Sequence, residues 1–241
     1  MHNARVAEIL SALTHDRADA TSLPERLCAA CLSALPITGV GVALMTVDGP
    51  SGVVLAATDG LARQLEELQF ALGEGPCVEA SDHGRPMLHS DLAVAGPARW
   101  PRFGAAVIEA GVHAIFAFPL RVGAIRVGVL DLYRDTPGRL TTAELADATA
   151  FADAATVVVL HLQDHHAFSA FAAPIDGRAE VHQATGMITI QLGITLAEAL
   201  LRLRAHAYAT GRTVSAIASD VVNRRMSFDG GEPGTMTQDR P

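Results

Sequence analysis

The stretch "VHAIFAFPLRVGAIRVGVLDLYRD" (112–135) constrains the fold more than any other part of the chain. Two runs rich in β-branched and aromatic residues flank Val122-Gly123-Ala124, which is the pattern of an antiparallel hairpin. Upstream, "TGVGVALMTVDG" (38–49) and "SGVVLAATDG" (51–60) read as two more strands, with Gly49-Pro50 as their turn. "RPMLHS" (85–90) reads as a short extended run. Helical spacing covers residues 3–15, 61–72 and 21–35, the last with Leu23, Leu27, Cys31 and Leu35 four apart. Thr141 followed by Glu144 forms a capping box. It opens a helix expected from 142 to about 168 on Leu145, Ala148, Ala152, Ala155, Val159 and Leu162. Strands with helices at both ends imply an α+β unit: an antiparallel sheet with flanking helices.

After "SAFAAPIDG" (169–177) the strand pattern stops. Residues 178–192 read as a helix that ends at Gly193, a favourable residue just past a helix. Thr195 and Glu198 form a second capping box. The helix behind it places Leu196, Ala199, Leu200, Leu203 and Ala207 on one face and stops at Gly211. Thr213 caps a third helix with Val214, Ile217, Ala218, Val221 and Val222 inward. The expected organisation is therefore a sheet domain over 1–168, a linker over 169–177, a small three-helix all-α domain over 178–228, and a tail over 229–241 that is disordered by composition. An all-α module this small is expected to lean on a neighbour or a second copy.

The apolar fraction of 49% fits a globular chain with a packed core. No apolar stretch reaches the roughly 18 residues of a membrane span, and charges interrupt the N-terminal stretch, so neither a membrane nor a secretory signal is expected. Three cysteines in 241 residues argue against a disulfide framework and for a reducing cytoplasm. The net charge is −8, and every basic residue is arginine. Overall acidity disfavours indiscriminate nucleic-acid binding. The charge is uneven, however: residues 1–174 hold 11 arginines and 19 acids, whereas 175–228 hold six arginines and four acids.

Two resemblances cover nearly the whole chain. "QATGMI" (183–188), "GITLAEALLRLRAHA" (193–207) and "VSAIASDVV" (214–222) resemble the ANTAR domain, the RNA-binding module of transcription antitermination regulators. The matching positions are Ala184, Gly186, Ala199, Leu203, Arg204, Ala207 and Ala218. "LGEGPCVEA" (72–80), "DLAVAGPARWPRF" (91–103), "GVHAIFAFPL" (111–120) and "VGVLDLYRDTPGRLT" (127–141) resemble a GAF domain. The resemblance implies a non-enzymatic sensory regulator. It would bind RNA stem-loops as a homodimer, under control of a small-molecule ligand or other signal sensed by the GAF domain, and so keep a terminator hairpin from forming. The helix 142–168 is expected to pair with its copy in a parallel dimer, its alanines allowing close approach.

RNA is held through phosphates and through loop bases that stack on flat groups. Arginine serves both. Arg202 and His206 share one flank of the second C-terminal helix, Arg204 lies on the other flank, and Arg178 pairs with His182 on the first. The expected RNA-binding residues are Arg178, His182, Thr185, Arg202 and Arg204. Thr185 is a departure, because the family usually has a basic residue between the alanine and glycine of this motif. One phosphate contact fewer lowers the salt slope by about 0.7–0.9. Arg224 and Arg225 fall at a helix C-terminus, where the dipole alone favours cations. Two alternatives stay open. One is a sensor, of small molecules or redox state, that acts through protein contacts. The other is a DNA-binding helix-turn-helix with Asn223 reading adenine while Asp220 faces phosphates.

The first domain offers other chemistry to weigh. "GEGPC" lacks the Lys-Ser/Thr of a phosphate loop, so its glycines read as a turn beside a cleft. Cys77 opens a short helix with no identifiable partner and reads as a buried small side chain. Cys28 and Cys31 read as core. His161 and His165, with His166 beside them, have the i,i+4 spacing of metal ligands on a helix but read as a solvated or dimer-facing group. Trp100-Pro101 reads as a structural anchor over the sheet. No catalytic residue, cofactor or metal is expected, and the GAF ligand is not legible.

Overall fold

A computed structural model of the chain describes residues 2–15, 22–46, 49–164 and 178–228. The chain divides into two compact units, Met1–Phe171 and Ala172–Pro241. The expected linker, the expected tail, the connecting helix beyond 164, and His165 and His166 lie outside the described residues.

In the first unit, α1 (His2–His15) and α2 (Leu23–Ala34) precede β1 (Gly39–Thr46) and β2 (Gly49–Ala57). Then come α3 (Gly60–Leu72), α4 (Pro76–His83), β3 (Met87–His89), α5 (Leu92–Arg99) and α6 (Phe103–Glu109). The hairpin β4 (Ala114–Val122) and β5 (Ile125–Arg134) follows, and α7 (Thr142–Asp164) ends the unit. The sheet order is β2-β1-β5-β4-β3 with every pair antiparallel. The hairpin thus supplies the sheet's two inner strands beside β1.

Helices cover both faces of the sheet. On one face, Ala114, Phe116, Phe118 and Leu120 of β4 and Leu130 and Leu132 of β5 pack with Leu27, Cys28 and Cys31 of α2 and Ala148, Phe151 and Ala155 of α7. On the other, Ile115 and Tyr133 pack with Leu65, Trp100 and Phe103, and Ala117 and Val129 pack with Cys77 and Met87. Double coverage explains why β4 and β5 read as almost unbroken apolar runs although they are antiparallel.

Several expectations change. Gly49 and Pro50 are not the turn: they begin β2 and pair with Thr46 and Met45. β2 is an edge strand, where a proline costs no ladder bond. "DLAVAGPARWPRF" is helical, forming α5 with Pro97 inside it and leading into α6. Trp100 is the anchor expected, 3% exposed, with its indole edge-on to His89 and Phe103 and its Nε1–H donated to Glu79 Oε1 at 3.1 Å. The capping box of α7 forms: Thr141 N–H donates to Glu144 Oε2 at 2.8 Å and Glu144 N–H to Thr141 Oγ1 at 3.2 Å. The alanines of α7 do not wait for a second copy. Ala148, Ala152, Ala154 and Ala155 are buried in their own unit, and α7 packs against α1, α2, β4 and β5. What α7 leaves exposed over its second half is a thin strip, Asp153, Val157 and His161. By length and composition Thr142–Leu162 could cross a membrane, with a mean hydropathy of 1.4 in its most apolar 18-residue window. Its packing on the sheet marks it as a core helix, and the expectation that no stretch is this apolar is corrected.

The second unit consists of α8 (Arg178–Leu192), α9 (Leu196–Ala209) and α10 (Val214–Val222) among the described residues. Each helix packs against the other two. Val181, Ala184, Thr185 and Ile188 of α8 share one buried stripe with Ala199, Leu203 and Ala207 of α9 and Ile217, Ala218 and Val221 of α10. Thr195 and Glu198 form the expected capping box, worth about 1 kcal/mol to α9. Gly193 ends α8 with φ 64.

Candidate functional site

The arginines of the second unit are not equivalent. Arg212 donates to Asp220 Oδ2 at 2.7 Å, and Arg225 Nε donates to Asp220 Oδ1 at 2.8 Å. One carboxylate therefore ties down two of the cations, and the Arg212 hydrogen bond, then that of Arg225, holds its pKa below the usual aspartate value. Arg224 sits just past α10 with φ 57, the left-handed position that usually closes a helix. Its N–H donates to Val221 O at 3.0 Å. Asp220 accounts for Arg212 and Arg225, which favours the bland reading of Arg225, while the Arg224 side chain stays exposed just past the helix.

Arg202 and His182 are exposed, and Arg204 is half-buried. The buried stripe of α9 runs along Ala199, Leu203 and Ala207. At 100° per residue this places Arg202 and Arg204 on opposite flanks of it. Glu198 is held ionised first by the hydrogen bonds of the Thr195 cap and then by the nearby Arg202 charge. His206 is half-buried, edge-on to Phe228 with ring centroids 5.6 Å apart. Arg178 is the first residue of α8, and its side chain lies outside what is described.

Thr185 is placed differently from expectation. It is 6% exposed and sits on the inward stripe of α8, with its hydroxyl donated to Val181 O at 2.7 Å. Bonding back to its own helix takes the hydroxyl away from solvent. At this position the chain offers neither a charge nor a free hydroxyl. The helix-turn-helix reading meets a similar obstacle. Asn223 Nδ2 donates to Ser219 O at 2.8 Å, and Asp220 faces arginines of its own unit.

The first unit holds a polar cluster that the sequence reading missed. The buried stripe of α3 is Ala62, Leu65, Glu66, Gln69 and Phe70, so two polar residues point inward among apolar ones. Asp131 on β5 is fully buried, 0% exposed. Its cross-strand partners are Gly41 on β1 and Ala117 on β4, a row of small residues that leaves room above it. Glu66 fills that room: a Cβ at Gly41 would overlap Glu66 Oε1. Gln69 Nε2 donates to Asp131 Oδ2 at 2.8 Å, and Gln69 Oε1 accepts Cys77 N–H at 2.9 Å. Tyr133 O–H donates to Glu66 Oε1. Burial pushes Asp131 up to about 7, against the hydrogen bond from Gln69 and the opposing effect of the adjacent Glu66 and Tyr133, and raises Tyr133 well above its ordinary value.

Cys77 is buried, as read, but it has company. One ligand atom each from Glu66, Cys77 and Asp131 lie within 4.8 Å of one another. "GEGPC" splices α3 to α4: Gly75 has φ 128 and stands against Gln69, and the Glu74 carboxylate accepts N–H groups of Arg102 and Phe103 at the start of α6. Cys28 and Cys31 lie on the opposite face of the sheet, buried in the core, where burial pushes the Cys28 thiol up to about 12 and Cys31 higher still. The signal available for the missed cluster was an aspartate in "VLDLY", mid-strand, opposite a glutamate on the apolar stripe of a helix.

Comparison with known proteins agrees with both units. The GAF domain profile matches residues 19–160, and the ANTAR domain profile matches residues 171–222. No curated protein matches the chain. Among solved structures, the GAF domain of a phosphoenolpyruvate-protein phosphotransferase from Coxiella burnetii is 18% identical with a TM-score of 0.51, covering 68% of this chain and 98% of that one. The corresponding GAF domain from Acinetobacter is 9% identical with a TM-score of 0.49, covering 68% and 96%. A free methionine-R-sulfoxide reductase from Neisseria meningitidis, solved with its substrate, is 14% identical with a TM-score of 0.46, covering 68% and 91%.

Proposed function

Because the chain belongs to the GAF domain family and carries an ANTAR domain behind the GAF unit, we propose that it is a cytoplasmic, non-enzymatic regulator that binds RNA stem-loops and prevents transcription termination. The observation that carries this reading is the ANTAR match over 171–222, which spans the three described helices of the second unit. In this reading Arg202 and His182 make the exposed contacts, Arg178 stands beside His182 one turn earlier, and Arg204 works from the other flank of α9. The GAF unit supplies the control. With Thr185 turned inward and Arg212 and Arg225 held by Asp220, few cations remain to meet phosphate. About three contacts give a salt slope near −2 for single-stranded loops.

The test is a salt-titrated binding assay of the full chain against twin stem-loop RNA, single stem-loop RNA and duplex DNA. Twin-specific binding that is lost in Arg178→Ala plus Arg202→Ala supports the reading. Equal, weak binding to all three overturns it. A second reading, a sensor acting through protein contacts, is favoured by one observation. Ile190, Leu196, Leu201 and Tyr208 are 85%, 53%, 64% and 61% exposed, a density of apolar surface suited to a protein partner, including the second copy of a homodimer.

A further inference from the structure

We propose that Glu66, Cys77 and Asp131 form a site for one divalent transition-metal ion beneath α3 and α4, with zinc as the best-matched ion. The three ligand atoms lie within 4.8 Å of one another, and all three residues are buried. This is the spread that one small cation can draw together into a tetrahedral shell, and thiolate with two carboxylates is within zinc's ligand set. The thiolate excludes magnesium and calcium as preferred occupants, since both are held by oxygen.

Geometry separates this cluster from a chance meeting of acids. Asp131 Oδ2 is used by Gln69, whereas Asp131 Oδ1 is buried with no hydrogen-bond partner among the described residues. The Glu66 carboxyl faces it but can supply a hydrogen only when one of the two acids carries a proton. The groups that act on Asp131 and Tyr133 include Glu66, Gln69, Cys77 and one another. Carboxyls are costly to bury ionised, and a bound dication lowers that cost. Outer support is already in place. Tyr133 O–H orients Glu66, and Gln69 bridges Asp131 to the Cys77 N–H. Such partners fix ligand orientation at metal sites. The backbone gives way to both: Gly41 leaves room for Glu66, and a Cβ at Gly75 would stand 2.5 Å from Gln69 Oε1. The site does not depend on whether the second unit binds RNA.

The test uses the full chain, stripped with a chelator and titrated with Co²⁺ as the spectroscopic stand-in for Zn²⁺. The expected result is saturable uptake of one equivalent with a thiolate-to-cobalt charge-transfer band, displaced by Zn²⁺ but not by Mg²⁺. Cys77→Ser removes the band, and Tyr133→Phe weakens affinity by about 10–100-fold, the range for an outer-sphere partner. Zinc-edge X-ray absorption on the unmutated protein needs no variant to fold. It should show one sulfur at about 2.3 Å and oxygens at about 2.0–2.2 Å. Absence of stoichiometric uptake, a shell without sulfur, or a band that survives Cys77→Ser each overturns the proposal. In the last case the thiolate would come from Cys28 or Cys31, on the other face of the sheet.

Discussion

Gly41→Ala tests the packing logic of the buried cluster directly. The added methyl would overlap Glu66 Oε1 and lie 2.9 Å from Cδ and 3.0 Å from Cγ. Glu66 cannot swing away, because it is 3% exposed and its carboxylate is held by Tyr133. Overpacking of this kind costs about 1–3 kcal/mol. If Glu66 is pushed off, the lost buried hydrogen bond adds about 1–3 kcal/mol. The expected destabilisation is therefore about 1–3 kcal/mol if Glu66 stays in place and about 2–6 kcal/mol if it is displaced. Gly39→Ala is the control on the same strand: its nearest neighbours would be at 3.6 Å, ordinary contact. Alanine for glycine within a strand is neutral to favourable there, by up to about 1 kcal/mol. Combining Gly41→Ala with Glu66→Ala removes the obstructing atoms, so the methyl should cost far less in that background, giving a coupling energy within the range of about 0.5–3 kcal/mol seen for residues in contact. The assay is urea unfolding in the presence of a chelator, followed by the fluorescence of Trp100, the chain's single tryptophan. Trp100 lies in the core of the first unit, so the signal reports that unit alone. A Gly41→Ala variant within about 0.5 kcal/mol of the parent, or one as costly with Glu66→Ala as without it, would refute the reasoning.

Three further outcomes follow from the geometry. Burial holds Cys28 up to about 12 and Cys31 higher, and Cys77 is also buried. A disulfide reagent at pH 8 should therefore modify no thiol quickly in the folded chain and all three after denaturation. One fast-reacting thiol would contradict this. Thr185→Val should leave RNA affinity unchanged, because the hydroxyl is already spent on Val181 O, while Arg202→Ala weakens it at every sequence tested. Filter binding of both variants at two salt concentrations distinguishes them. The Asp220 pKa is depressed in the folded state by Arg212 and Arg225. Its stabilising effect is therefore full above the unfolded value of about 3.9 and is lost as pH falls through the lower folded value. Melts of the parent and Asp220→Asn should begin to converge as pH falls below about 4 and meet below the lower folded value; a gap that widens on acidification would rule this out.

Local rules made the framework readable in advance. The hairpin at Val122-Gly123-Ala124 and the capping boxes at Thr141 and Thr195 depend on residues close in sequence, and each forms where expected. Gly49-Pro50 was misread because a proline at a strand edge and a proline in a turn share the same local signature. α5 and α6 were hidden by glycine and proline and by lengths of eight and seven residues, too short for a periodic pattern. The alanines of α7 showed which face was buried but not what buried it, since Leu27 and Phe118 come from distant segments. The cluster of Glu66, Cys77 and Asp131 depended on register. Only the pairing of Gly41 with Asp131 shows that an acid on one strand lies opposite an absent side chain on the next.

β5 carries that cluster and the floor of α7 on alternate residues. Asp131 and Tyr133 point towards α3 and α4, while Leu130 and Leu132 pack with Ala148, Phe151 and Ala155. Successive side chains of a strand leave the same backbone in opposite directions. A proton gained, or an ion seated, at Asp131 therefore acts one peptide plane away from the leucines that support α7. The sheet is a wall shared by two cores, with the acid on one side of β5 and the leucines under α7 on the other.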